Sequence, residues 1–202
     1  MAPLSPDELR TVVSALAQKL DSLNIDYAIM GGAATCLLYP DPTRRTEDVD
    51  LLLTSFPTDF EGVSQFRHTI PAYKLRRPGG AAQLVELEVF DFQSWPQRPQ
   101  YNIQAATRKT LNINGRAVKF FGAEWILREK ILSQYQRQGS PKEGTDIRDI
   151  TNMIPLAVPG RPELDFNQSQ ELQTALANLV QKRPALVQSL KAKVKCTAVF
   201  QN

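Results

Sequence analysis

Asp48 and Asp50 stand two residues apart at the start of an apolar run, Val49 and then Leu51-Leu52-Leu53. The run reads as a buried strand, in which residues i and i+2 project from one face. Two carboxylates therefore lie side by side where such a strand would carry Val or Leu. Ionised and unpartnered, they repel each other and resist desolvation. A divalent cation removes that objection, and an all-oxygen ligand set suits Mg²⁺. The plainer alternative has the two acids cap a loop or pair with Arg44 and Arg45, which leaves charges beside an apolar run at high cost. Just upstream, Ile25 to Met30 reads as a strand, Gly31-Gly32 as a turn, and Ala33 to Tyr39 as a short helix. A glycine turn allows a phosphate to approach the backbone and meet the N–H groups of a helix start. Strand, glycine turn, helix, loop and acidic strand together predict a metal-and-triphosphate site.

A third carboxylate would complete a two-ion clamp, its ions roughly 3.5–4 Å apart. Glu86, Glu88 and Asp91 are the candidates, all in the alternating segment Leu84 to Phe92. Val85, Leu87 and Val89 occupy one face of that segment, and Glu86, Glu88 and Phe90 the other. Asp91 has the opposite parity and would need a bulge to join the glutamates. Glu88 is the more central of the pair and is the expected ligand; a solvated strand face would show the same pattern. Neither the longer glycine-rich lysine motif nor G-x-G-x-x-G occurs, which disfavours a dinucleotide cofactor.

Ser5-Pro6-Asp7-Glu8 reads as a helix start. Leu9, Val12, Val13, Leu16, Leu20 and Leu23 form its apolar face, and Asn24 ends it. Beyond the acidic strand, Thr58-Asp59 predicts a helix running to about His68, followed by a strand from Ile70 to Leu75. Ser94 to Gln100 reads as loop. Asn114-Gly115 marks a tight hairpin within Leu111 to Phe120. From Ala123 the pattern is helical: Trp125 to Tyr135, Glu143 to Met153, Glu163 to Val180 and Pro184 to Lys193, with an edge strand expected at Val194 to Phe200. The expected division is a core over residues 1–122 and a helical region, 123–202, packed on it.

The 202 residues suffice for a sizeable core. A net charge of +3 neither demands nor excludes nucleic acid. Two cysteines, Cys36 and Cys196, make no metal spacing and no disulfide framework. His68 is the one histidine, so Ser–His catalysis and zinc chemistry are poor fits. The polar start and the absence of a long apolar run lead us to expect a cytoplasmic protein with no membrane partner.

Met30-Gly31-Gly32 with Asp48-Val49-Asp50 resembles the signature of the nucleotidyltransferase fold superfamily. Gly31 to Tyr39 and Arg45-Thr46-Glu47-Asp48-Val49-Asp50-Leu51 look especially like small members related to abortive-infection toxin nucleotidyltransferases and to fungal proteins. The likeness continues through Trp125 to Ile131, Arg137, Lys142 and Asp146 to Ile150, and so covers roughly residues 25 to 154. It implies an α/β fold, a mixed β-sheet nucleotidyltransferase core with flanking helices and a C-terminal helical region. It implies transfer of a nucleoside monophosphate from a nucleoside triphosphate (NTP) to a hydroxyl acceptor, with Mg²⁺ or Mn²⁺ as cofactor. Asp48, Asp50 and Glu88 would be the catalytic metal ligands, Glu88 standing where such proteins usually carry Asp. Gly31, Gly32, Arg45, Thr46 and Lys130 would hold the NTP. The plainer readings are that Arg45 and Thr46 pin their loop and that Lys130 lies along a half-buried helix. The expected acceptor is a small molecule rather than RNA. The rival expectation is a nucleotidyltransferase-like module that binds nucleotide or protein without turnover.

Overall fold

In the computed structural model, residues 2–54, 62–65, 68–77, 80, 82–91 and 102–200 are described. Helix α1 (Pro6–Ser22) starts on a capping box: the Ser5 side chain accepts the Glu8 N–H, and the Glu8 carboxylate accepts the Ser5 N–H. Its buried face is Leu9, Val12, Val13, Leu16, Ala17 and Leu20. The chain leaves it through Asn24, in the left-handed region at φ 54°. It then enters β1 (Tyr27–Met30), whose four residues are all buried.

After β1 come α2 (Gly31–Leu38) and then β2 (Asp48–Leu53), β3 (Gly62–Gln65), β4 (His68–Leu75), β5 (Gln83–Asp91), β6 (Arg108–Ile113) and β7 (Arg116–Phe121). These strands form one seven-stranded sheet in the order β3-β4-β5-β2-β1-β7-β6. It is mixed: β5 runs parallel to β2, and β7 parallel to β1, while the other neighbours are antiparallel. The innermost strands are the most apolar, with Tyr27, Ile29, Leu51, Leu52, Leu53 and Phe120 fully buried. Burial on both faces is what the unbroken Leu run of β2 encodes.

Three expectations for this part meet the structure differently. The Asn114-Gly115 hairpin forms, with φ of 52° and 76° at the two turn residues, the positive pair a type I′ turn needs. The helix expected up to His68 does not. Its described portion is strand, with Val63 directly opposite Ile70 across the β3–β4 pair, a pairing β-branched residues favour. The proposed cap Thr58-Asp59 and the loop Ser94 to Gln100 lie outside the described residues.

The chain divides into two compact units, Met1–Phe121 and Gly122–Asn202. The second contains α3 (Ala123–Gln136), α4 (Pro141–Met153), α5 (Gln170–Lys182) and α6 (Val187–Lys191). The single helix expected from Glu163 to Val180 is two pieces: a 3₁₀ turn over Pro162–Leu164, then α5. Phe166, fully buried, anchors the break, and Ser169 caps α5 by accepting the Leu172 N–H. The expected helix from Pro184 is likewise a 3₁₀ turn, Pro184–Leu186, leading into α6. The expected edge strand at Val194 is absent among the described residues; only an isolated bridge joins Asp165 to Lys195. Among the described residues no helix is long and apolar enough to cross a membrane.

Candidate active site

The parallel pairing of β2 with β5 sets Asp48 opposite Glu86 and Asp50 opposite Glu88. Opposed residues in a parallel pair share a face, so all four acids stand on the same side of the sheet. Asp48, Asp50 and Glu88 each present a carboxylate oxygen within 4.8 Å of the others. Both aspartates are half-buried and Glu88 is exposed. Asp91 is in register with Leu53, one position out of phase with Asp50 and Glu88. Three carboxylates this close repel one another unless cations or hydrogen-bond donors offset their charge, and hard divalent cations prefer such oxygen sets.

The glycine turn is built against these acids. Antiparallel pairing sets Met30, the last residue of β1, opposite Asp50. Gly31 follows with φ 62°, and a Cβ at that position would lie 1.7 Å from Asp50 Oδ2. Both facts demand glycine: the left-handed backbone and the carboxylate in the place of a side chain. A Cβ on Gly32 would sit 2.8 Å from Thr46 Oγ1 and 3.0 Å from Arg44 Nη2. Helix α2 opens at Gly31 itself, earlier than the sequence suggests, and Met30 at its N-cap offers no side-chain acceptor. Its first turn thus places backbone N–H groups beside the carboxylates.

Thr46 is buried, and its hydroxyl donates to Asp48 Oδ1 at 2.8 Å. Its backbone carbonyl accepts the Leu4 N–H at 2.8 Å. Thr46 therefore ties its loop to the amino-terminal segment and orients Asp48, a positioning link that sequence reading left undecided. Arg45 is exposed and donates to the Arg44 carbonyl at 3.1 Å.

Lys130 belongs to the second unit, where it is buried with Nζ 2.8 Å from Asp146 Oδ1 and 2.9 Å from Asp149 Oδ2. Arg137 adds a bond of 3.2 Å to the other oxygen of Asp146. Asp146 and Asp149 both stand on α4. Their i, i+3 spacing, which places both on one face, was the signal that they share a partner.

The crystal structure of an antigenic nucleotidyltransferase-like protein from Paracoccidioides brasiliensis matches this chain over 100% of both lengths, at 77% sequence identity and a TM-score of 0.93. This chain belongs to the nucleotidyltransferase fold superfamily. This nucleotidyltransferase-like chain is also similar to the antibiotic-resistance factor ANT(2'')-Ia in its solution structure, at 14% identity over 92% of this chain and 97% of that one, with a TM-score of 0.41, too loose to support anything further. No family model and no curated protein matches it. Within the sheet, Asp48, Asp50 and Glu88 form a carboxylate group able to hold a metal ion, the one such group of three among the described residues.

Proposed function

We propose that the chain is a Mg²⁺-dependent nucleotidyltransferase that moves a nucleoside monophosphate from an NTP to a hydroxyl acceptor and releases pyrophosphate. The convergence of Asp48, Asp50 and Glu88 beside the Gly31 turn carries this reading. The three carboxylates would hold Mg²⁺, or Mn²⁺ in its place. When bound, the cation would offset their charge and polarise the phosphate oxygens. Gly31 and Gly32 would seat the phosphates, because α2 opens on them and its first turn offers backbone donors. Thr46 would hold Asp48 in its rotamer. Arg45, exposed at the same loop, would pair with the triphosphate. Glu88 would accept the acceptor's hydroxyl proton on a carboxylate oxygen while the oxygen attacks in line. Lys130 has Asp146 and Asp149 as its partners, so we assign it to the interior of its own unit. The acceptor we favour is a small molecule.

Radiolabelled NTPs incubated with Mg²⁺ and candidate hydroxyl compounds test the proposal. We expect transfer in the wild type and a fall of about 10²-fold or more in Asp50→Asn. Equal turnover in the two proteins would sink it. NTP-dependent thermal stabilisation without product would instead identify a nucleotide-binding module.

A further inference from the structure

A cavity of about 170 Å³ lies within the first unit, between the start of α1, the end of α2 and the loop from Pro40 to Thr46. It lies outside the carboxylate group, and none of the three acids lines it. Its inner side is apolar: Leu4 and Leu9 are buried lining residues, and Cys36 and Leu37 line it from α2. Its solvent side is cationic, because the exposed lining residues include Arg10 and Arg45. One carboxylate, Asp41, also lines the cavity, but its Oδ1 is turned onto its own loop. There it accepts from the Thr43 N–H and the Thr43 hydroxyl, both at 2.9 Å.

Size and charge together narrow the occupant. An apolar cavity of roughly 150 Å³ accommodates a benzene ring, so this one is large enough for one ring or a short aliphatic chain. An apolar interior under guanidinium groups favours an apolar body with an anionic end, since guanidinium binds carboxylate through paired N–H donors. We infer that this cavity binds a small apolar acid, its ring or chain against Leu4, Leu9 and Leu37 and its carboxylate on Arg10. The inference does not rest on the transferase reading. The cavity wall and the carboxylate group nevertheless share a residue: Thr46 lines the cavity and donates to Asp48.

The test uses the full chain without nucleotide or metal. Calorimetric titration with 3-phenylpropionate, its amide and 3-phenylpropylamine compares one body with three ends. We expect the acid to bind about tenfold more tightly than the amide, and the amine not to bind. Arg10→Glu should weaken the acid by about tenfold and leave the amide unchanged. Leu37→Trp, which fills the cavity from a half-exposed position, should abolish both. A second measurement needs no variant: the acid should slow alkylation of Cys36 several-fold, and the amine should not. Equal affinity for acid and amide, acid binding that survives Leu37→Trp, or a Cys36 alkylation rate indifferent to the acid would each overturn the proposal.

Discussion

Gly31 shows how a single residue links backbone geometry to the site. Its left-handed φ and the 1.7 Å approach of Asp50 Oδ2 to the missing Cβ are separate obstacles to any side chain. Gly115 carries only the first, with φ 76° and open space around it. The two therefore make a controlled pair. Gly115→Ala should cost about 1 kcal/mol through backbone strain alone. Gly31→Ala should cost about 3 kcal/mol or more, because Asp50 must also leave its position. Urea denaturation of the two variants checks this; equal losses would mean that Asp50 does not occupy the space above Gly31. Of these two obstacles, the sequence alone suggested the turn. That the carboxylate stands where a Cβ would go follows from the register of Met30 with Asp50, which no local pattern encodes.

At the scale of elements, α3 and α4 are joined by a buried ion cluster. Lys130 from α3 meets Asp146 and Asp149 from α4, with both carboxylates essentially inaccessible. Removing the cation leaves two buried negative charges facing each other. Lys130→Met should destabilise the second unit by about 3–5 kcal/mol. Combining it with Asp146→Asn and Asp149→Asn should recover part of that loss, since neutral amides need no counter-charge. Chemical denaturation followed by the tryptophan fluorescence of Trp125 in α3 reads both; a Lys130→Met protein as stable as wild type would disprove the pairing. Element identity was legible wherever the period was long and the ends were marked, as in α1 with its capping box and the hairpin at Asn114-Gly115. It failed at Glu163 to Val180, where helical spacing runs through Phe166. There a tertiary contact outweighed local propensity, because burying a whole aromatic side chain is worth more than one further helical turn.

For the molecule as a whole, acid stability offers a test of the links that hold α1 to the sheet side of the first unit. Glu8 caps α1 and bonds to Arg77, just beyond β4. The Arg77 hydrogen bond, joined by the Ser5 N–H, holds the Glu8 carboxyl down at about 2, against an ordinary value of 4.5. A carboxyl lowered by folding stabilises the native state fully above its ordinary value and loses that contribution as pH falls. Stability conferred by Glu8 should therefore decline between about pH 4.5 and pH 2, and Glu8→Gln should flatten the profile in that window. At Asp26, burial pushes the carboxyl up, but hydrogen bonds from Arg108 and Lys119 outweigh it and hold the group below its ordinary value. Its contribution therefore fades on the same acid side. Unfolding midpoints measured across the acid range check the Glu8 window; an identical slope in Glu8→Gln would refute it.

The sequence by itself determined the class of fold and the face on which the acids stand. A period of two forces Asp48 and Asp50 to one side of β2, and Glu86 and Glu88 to one side of β5, whatever surrounds them. Periodicity carries no information on which strands become neighbours or in what register. The tertiary structure decided that β5 runs beside β2 with Asp50 level with Glu88, and so which of the acids on that segment meets the aspartates. It also decided that the Thr46 hydroxyl bonds Asp48 and that Lys130 faces Asp146 and Asp149. Those contacts join residues whose meeting depends on how loops and helices pack, and packing is set by the burial of the chain as a whole rather than by any stretch of it.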